Sequence, residues 1–144
     1  MTERANIHAT CVAIGGKGVL ILGKSGSGKS DLALRLIEHK TAILVADDRV
    51  DMSILGGNLF AQAPDLLKGL LEVRGVGLVN LKYAQDAKIS LVVNLVGSLD
   101  EIERMPEEKF YTFGSVSLPM LNLYPFEISA VDKVVIKLNG NLEK

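Results

Sequence analysis

The pattern of hydrophobic and polar positions along the chain predicts a series of short strands and two helices, one after the second strand and one near the end of the chain. Residues 8–14 and 17–23 are rich in aliphatic and β-branched side chains, and a glycine pair at 15–16 predicts a tight connection between two strands. From Lys29 the apolar side chains recur at helical spacing, and this helix is expected to end near Lys40. The chain therefore opens with strands, a glycine-rich loop and a helix.

The middle and end of the chain continue in short segments. Residues 42–46 are almost all aliphatic, which predicts a strand buried on both faces, as in a parallel sheet, and ending near Asp47. Residues 50–64 predict a hairpin around two central glycines. Further strands are predicted over residues 70–81, 88–96 and 109–118, the last bent at Gly114. Residues 129–138 place valines and leucine at helical spacing, with Ser129 available as a cap.

Composition narrows the class of protein. A chain of 144 residues with 48% hydrophobic and 23% charged residues is expected to form one ordered domain over residues 1–144. A net charge of −1 without a basic run gives no reason to expect a nucleic-acid or membrane-surface partner. The single cysteine, Cys11, and the lack of an export signal predict a reducing cytoplasm, with Cys11 as a buried hydrophobe.

One stretch carries an unambiguous chemical motif. The pattern G-x-x-x-x-G-K-[ST] is met by Gly23, Gly28, Lys29 and Ser30, between a predicted strand and a predicted helix. The residues expected to bind the phosphates of a nucleotide are Gly23, Lys24, Ser25, Gly26, Ser27, Gly28, Lys29 and Ser30. Lys29 would reach the β- and γ-phosphates, and the Ser30 hydroxyl would bind Mg²⁺. This loop alone leaves NTPases, small-molecule kinases and regulatory switches open.

Two adjacent carboxylates follow the predicted strand over residues 42–46. Asp47 and Asp48 are expected at the carboxyl edge of the sheet, the same edge at which the phosphate loop opens. Metal binding and acceptance of a proton from an attacking hydroxyl are both open to them. Because adjacent residues leaving a strand point in opposite directions, the two are expected to differ in role. A turn or helix cap is the structural alternative.

A second unusual stretch lies within residues 70–81. An ordinary core strand does not contain two glycines and two opposite charges, so something is expected to approach this backbone closely. The residues of this signature strip are Glu72, Arg74, Gly75, Gly77 and Asn80. Glu72 is a candidate metal ligand and Arg74 a candidate phosphate ligand. The alternative is a simple Glu–Arg ion pair at a sheet edge.

Four segments now identify a resemblance. Residues 8–14, 23–30, 44–50 and 71–81, in this order, resemble the catalytic domain of bacterial HPr kinase/phosphorylase. The resemblance is tight from about Ile7 to Asn80 and loose afterwards. It implies an α/β domain of phosphate-loop kinase type, with phosphoenolpyruvate-carboxykinase-like topology and a mixed sheet with flanking helices. It also implies a protein serine kinase that uses ATP and Mg²⁺ to phosphorylate HPr, a small phosphocarrier protein of the phosphotransferase system.

The resemblance assigns roles residue by residue. It implies that Lys29 binds phosphate and that Ser30 and Glu72 bind Mg²⁺. Asp48 is similar to the residue that takes the serine proton, with Asp47 as its neighbour, and an exchange of these two roles stays open. His8 matches an active-site histidine of the family, although the residues alone indicate a strand-end histidine.

Later parts of the chain depart from the family pattern. Arg104 resembles a family arginine near the reacting phosphate, although its surroundings also suit a solvated turn. No arginine follows it, so a cation near the C-terminal end would have to be Lys133 or Lys137. This puts the reverse, phosphorylase activity in doubt, whereas the kinase parts are all present. The family's N-terminal domain is expected to be absent.

Two rival functions stay open, and assembly rests on resemblance alone. One rival is a small-molecule kinase or plain NTPase, which would need an enclosed acceptor pocket or a lid. The other is a non-catalytic nucleotide sensor that has lost its acceptor site. The resemblance further implies assembly into hexamers.

Overall fold

The computed structural model describes residues 4–140 and contains, within that range, eleven strands and two α-helices. In chain order they are β1 (Arg4–His8), β2 (Thr10–Ile14), β3 (Lys17–Leu22), α1 (Lys29–Lys40), β4 (Ile43–Ala46), β5 (Arg49–Leu55), β6 (Asn58–Gln62), β7 (Leu70–Val73), β8 (Gly77–Asn80), β9 (Ala87–Leu95), β10 (Lys109–Phe113), β11 (Val116–Leu123) and α2 (Ala130–Leu138). Neither helix of the described range is long and apolar enough to span a membrane.

Nine of the described strands form one mixed sheet. Its main path runs β1-β5-β6-β9-β3-β2-β4, and β11 pairs with β9 and β10. The central strands β3, β9 and β11 are parallel, so their carboxyl ends meet at one edge. The other pairs of this sheet are antiparallel. The loop after β3 therefore opens at the edge where β9 and β11 also end.

The sheet is covered on both faces, and alternating residues of each central strand supply the two cores. Val19 and Ile21 of β3 pack toward the helices, together with Leu36 of α1 and Val134 of α2. Leu20, between them, belongs to a second core formed by strands alone. Residues from β5 and β6 cover this second face, so the sheet curls over its own surface and both helices lie on one side.

Most predicted elements are confirmed, and three predictions are wrong: the parallel pairing of β4, and the single strands over residues 70–81, which form the β7–β8 hairpin, and 109–118. Both predicted helices form, and the glycine pairs at 15–16 and 56–57 connect hairpins. The strand β4 is buried as predicted but pairs antiparallel with β2, because an apolar run reports burial and not the direction of the neighbouring strand. Residues 109–118 form two strands joined by a turn at Gly114, and not one bent strand. Ser129 occupies the cap position of α2 without a side-chain cap hydrogen bond.

A glycine in β3 marks the closest packing of the parallel strands. An alanine Cβ at Gly18 would lie 2.8 Å from the Lys88 carbonyl oxygen and 3.0 Å from Cδ1 of Ile89. We therefore expect Gly18→Ala to lower the free energy of unfolding by about 1–3 kcal/mol, measured by urea denaturation. Gly97→Ala is the matched control, because its Cβ would meet only Glu101 Oε2 at 3.7 Å. Equal urea midpoints for the two variants would contradict this packing.

Candidate functional site

The phosphate loop, residues 23–30, joins β3 to α1. Gly28 stands at the N-cap of the helix with φ 103°, a left-handed conformation that favours glycine. The Lys29 ammonium donates hydrogen bonds to the carbonyl oxygens of Gly23, at 2.8 Å, and Lys24, at 2.9 Å. The lysine side chain therefore turns back along the loop and lies against its first residues.

Burial and two carboxylates shift the pKa of the Lys29 ammonium in opposite directions. The residue is 7% exposed, and burial lowers the pKa of its ammonium from the ordinary value. The negative charges of Asp47 and Asp48 act in the opposite direction and raise that pKa. Both aspartates therefore lie at the same edge of the sheet as the loop, as their position after β4 predicts.

Asp47 is the buried centre of the site. Its Oδ1 accepts hydrogen bonds from the hydroxyls of Ser30, at 2.7 Å, and Thr10, at 2.9 Å. Its Oδ2 accepts the backbone N–H of Glu72 at 3.2 Å. The carboxylate is 5% exposed, so these donors replace the water that a buried charge has lost. One aspartate thus ties together β2, the first turn of α1 and β7.

Asp48 differs from Asp47 in backbone conformation, in exposure and in its partners. Its φ of 70° is left-handed, a conformation that aspartate tolerates better than most residues, and it turns the side chain out of the core. The carboxylate is 69% exposed, and its Oδ1 lies 3.1 Å from Nε2 of His8 at the end of β1. The prediction that the two aspartates point in different directions is therefore confirmed. The two aspartates form the turn between β4 and β5, where the Arg49 N–H donates to the Asp47 carbonyl oxygen at 2.8 Å, and neither of them caps α1 or α2.

The signature strip is a hairpin and not a core strand. Strands β7 and β8 pair only with each other within the described chain, and the turn between them carries Gly75 and Gly77 at φ 85° and 127°. A Cβ on either glycine would meet no described atom within 4 Å. Both glycines therefore suit the turn and leave open space beside their backbone, and the close approach of a ligand to that backbone stays a prediction. Glu72 and Arg74 form no ion pair with each other among the described residues.

A cleft of about 440 Å³ gathers most of the predicted site residues. Its lining includes His8, Ser25, Gly26, Gly28, Lys29, Ser30, Asp48, Glu72 and Arg74. Asp47 lies beneath this surface and holds Ser30 and Glu72 from below through its hydrogen bonds. Gly75, Gly77 and Asn80 lie on the hairpin away from the lining.

Arg104 is the predicted residue that lies apart from this group. It is exposed, on the connection between residues 102 and 108 that precedes β10, and it does not line the cleft. Its approach to a reacting phosphate therefore stays a prediction from resemblance.

Residues in and next to the cleft that lie outside the sequence predictions include Thr10, Phe126 and Arg35. Thr10 is fully buried and hydrogen-bonds Asp47, and its only sequence signal is a hydroxyl at the start of an apolar strand. Arg35 donates to the Pro125 carbonyl oxygen at 2.5 Å and pairs with Asp31. Phe126 lines the cleft beside Gly28 although it is about 100 residues away in sequence, and no local pattern reports such a contact.

The donor set of the cleft suits a hard cation. Ser30, Asp47 and Glu72 offer hydroxyl and carboxylate oxygens, and no sulfur or imidazole lies among them. Mg²⁺ prefers oxygen ligands, keeps several waters and usually binds through one or two carboxylates together with substrate phosphates. These residues therefore fit magnesium when phosphate oxygens complete the shell. Within residues 4–140, no three His, Cys, Asp or Glu side chains form a metal cage of their own.

Cys11 lies in the second core and takes no part in the cleft. Burial raises the pKa of its thiol to about 12, so almost no thiolate is present at neutral pH. We expect the native protein to react with a thiol reagent such as DTNB at least about 100-fold more slowly than the urea-unfolded chain. Absorbance at pH 8 measures both rates. A native thiol that reacts as fast as the unfolded one would contradict its burial.

Comparison with known proteins gives a consistent result. The family model described as "HPr Serine kinase C-terminal domain" matches residues 1–124. The "HPr kinase/phosphorylase" of Cupriavidus necator is 45% identical over 156 aligned positions, which cover 95% of this chain and 48% of the relative. The Mycoplasma genitalium protein of the same name is 38% identical over 126 positions, covering 85% and 40%. The chain thus spans about half the length of the curated relatives it matches.

A solved structure shares the fold. The structure titled "Structure of the Hpr(Ser) kinase/phosphatase from Coxiella burnetii" superposes with a TM-score of 0.79 at 23% identity. The match covers 95% of each chain. At this identity the likeness shows the fold, a mixed sheet with helices packed on it.

Proposed function

This chain belongs to the family of HPr serine kinase C-terminal domains, and from that membership we propose that it transfers the γ-phosphate of ATP to a serine of an HPr-like phosphocarrier protein, with Mg²⁺. The observation that carries the proposal is the hydrogen-bonded bridge from Ser30 through Asp47 to Glu72. It brings the phosphate loop, two oxygen ligands and the exposed Asp48 into one cleft. This is the set of parts that phosphoryl transfer needs.

The phosphate loop holds the triphosphate in this proposal. Backbone N–H groups of residues 23–30 and the N-terminus of α1 provide positive charge for the phosphate oxygens. The Lys29 ammonium, which now donates to two loop carbonyls, exchanges them for β- and γ-phosphate oxygens. Bound Mg²⁺ would neutralise charge that develops on the transferred group. Ser30 and Glu72 would hold the metal; Asp47 orients the Ser30 hydroxyl and fixes the backbone of Glu72.

Asp48 is the proton acceptor in this proposal. The serine hydroxyl attacks the γ-phosphorus, its proton passes to the Asp48 carboxylate, and the bond from phosphorus to the β,γ-bridging oxygen breaks to release ADP. His8, 3.1 Å from the carboxylate, orients it. Asp47 is unsuited to this role, because both of its carboxylate oxygens already accept hydrogen bonds and because the residue is buried, with only 5% of its surface exposed. This difference in burial and hydrogen bonding supports Asp48 over Asp47 in the exchange of roles that the sequence leaves open.

The kinase direction is the favoured one. The chain has no arginine beyond Arg104, and Lys133, one of the two candidate replacement cations, is paired with Glu127. A phosphorylase reaction has to bind inorganic phosphate against a phosphoserine, and such recognition commonly uses arginine. Arg74 lines the cleft, so the expectation of slow phosphorolysis of seryl-phosphorylated HPr rests on the lack of a later arginine alone.

Three further features belong to the proposal. A phosphoenolpyruvate-carboxykinase-like topology and assembly into hexamers follow from the family resemblance, and location in the cytoplasm follows from the single cysteine. The strand, loop and helix that begin at Lys17 support the first of these, since they hold the phosphate loop between β3 and α1. The single, buried Cys11 accords with the last.

A labelling experiment separates the proposal from its two rivals. The protein is incubated with γ-labelled ATP, Mg²⁺ and purified HPr, and HPr with its acceptor serine changed to alanine is the control. Label on wild-type HPr alone is the expected result. Release of free phosphate without labelled protein would indicate an NTPase, and bound ATP with neither product would indicate a nucleotide sensor.

A further inference from the structure

An aromatic side chain from the end of the chain forms one wall of the cleft. Phe126 follows β11 and is 59% exposed, yet its ring edge touches the phosphate loop. An alanine Cβ at Gly28 would lie 2.9 Å from Cζ of this ring and 3.3 Å from Cε1. Glycine at this position therefore satisfies the loop conformation and also makes room for the ring.

Two contacts hold this wall in place. Arg35 of α1 donates to the carbonyl oxygen of Pro125, the residue before the phenylalanine, and is itself held by Asp31. Tyr124 packs edge to face on the Phe126 ring, with centroids 5.8 Å apart and planes at 79°. An exposed phenylalanine on a surface needs no explanation, but one anchored at its backbone and its ring beside a phosphate loop does.

The opposite wall of the cleft carries the charged groups. Glu72 and Arg74 of the β7–β8 hairpin lie there, and Asp47 ties this hairpin to Ser30. Ser30 of α1 is joined to the hairpin through Asp47, whereas Gly28 lies beside Phe126, so the start of α1 lies between the two walls. The cleft is thus polar and charged on the hairpin side and aromatic on the side of Phe126.

The geometry of in-line transfer indicates which wall faces the acceptor serine and which faces the nucleoside. The attacking oxygen and the leaving ADP must lie on opposite sides of the γ-phosphorus. With Asp48 as proton acceptor, the serine enters on the side of Asp48 and Glu72, so the nucleoside leaves the loop toward Phe126. We propose that the Phe126 ring is the stacking platform for the purine base of the bound nucleotide. This rests on the proposed function, which fixes the side of the acceptor.

The expected energetic effect comes from the base alone. Alanine in place of an aromatic side chain that stacks on a base lowers the affinity for the ligand by a factor of about 5 to 100. Phe126→Ala is therefore expected to raise the Kd of Mg-ATP by about 5- to 100-fold, and to leave the Kd of Mg-tripolyphosphate, which has no base, unchanged. Phe126→Tyr keeps a π face and is expected to bind ATP like the parent protein. Calorimetry measures all of these constants without any phosphotransfer.

A fluorescent variant gives a second readout that does not depend on stability. The chain contains no tryptophan, so Phe126→Trp creates a single reporter at the proposed platform. ATP is expected to quench its emission, whereas tripolyphosphate is not. Phe110→Trp is the matched control, because Phe110 is 57% exposed on β10 and does not line the cleft.

The outcomes separate this proposal from the proposed function. ATP that binds Phe126→Ala and wild type equally, or that binds Phe126→Trp without quenching it, would overturn the stacking platform and leave the kinase proposal standing. Equal loss of ATP and tripolyphosphate affinity in Phe126→Ala would likewise overturn it, since the ring would then only support the loop. Base-dependent quenching in a protein that labels no HPr would support the platform while the kinase proposal fails.

Discussion

Asp48→Asn is expected to lower the single-turnover rate of phosphotransfer from ATP to HPr by about 10²- to 10⁴-fold and to leave ATP affinity close to the wild-type value. The amide has the shape of the carboxylate and its oxygen can still face His8, but it cannot accept the serine proton. The carboxylate is exposed, so the substitution leaves no buried group without a partner. Quench-flow with labelled ATP measures the rate, and calorimetry measures the affinity.

Asp51→Asn is the matched control for this prediction. Asp51 lies on β5, accepts a hydrogen bond from Asn6 and is outside the lining of the cleft. It is expected to transfer phosphate at the wild-type rate. If Asp48→Asn retained normal transfer as well, Asp48 would have no part in the reaction.

Asp47→Ala is expected to damage both the fold and the binding of Mg-ATP. The substitution removes the acceptor of three hydrogen bonds and leaves the fully buried Thr10 hydroxyl without its partner. An unsatisfied buried donor costs about 1–3 kcal/mol, so the loss of unfolding free energy is expected at roughly 2–4 kcal/mol with the other lost bonds. Ser30 and Glu72 also lose their common anchor. Urea denaturation measures the first effect, and ATP titration with and without Mg²⁺ measures the second.

Asp47→Asn separates these two effects. Its amide oxygen can still accept from Thr10 and Ser30, but its NH2 group faces the Glu72 N–H and cannot accept it, so only part of the stability is expected to return. The negative charge does not return, so the Mg²⁺ dependence of ATP binding is expected to stay weakened. An Asp47→Ala protein that unfolds at the wild-type urea midpoint would contradict the anchoring role.

Local sequence patterns predicted the phosphate loop and failed at the hairpin of the signature strip. The loop motif lies within eight consecutive residues between a strand and a helix, so no distant contact is needed to recognise it, and phosphate binding by these residues stays a prediction. The strands β7 and β8 are four residues each, and their alternation resembles one interrupted strand. The chain reverses direction through the positive φ values of Gly75 and Gly77, and a sequence alone does not show which glycines adopt a positive φ.

Long-range contacts explain what else was missed. Thr10 became part of the site because the curled sheet places the start of β2 beside the end of β4, a consequence of pairing between separate segments. Phe126 reached the loop through the Arg35 contact with Pro125, which spans 90 residues. By contrast, the different directions of Asp47 and Asp48 follow from the geometry of a strand end and could be predicted from two adjacent letters.

The most direct measurement is a crystal structure of this chain with Mg²⁺, a non-hydrolysable ATP analogue and HPr. We expect the acceptor serine hydroxyl to lie within about 2.6–3.2 Å of the Asp48 carboxylate, the range required for proton transfer. We also expect the Lys29 ammonium to contact the β- and γ-phosphate oxygens, with Asp47 still bound to Ser30. A complex in which the serine hydroxyl lies beside another base, with Asp48 turned away from the γ-phosphate, would contradict this expectation.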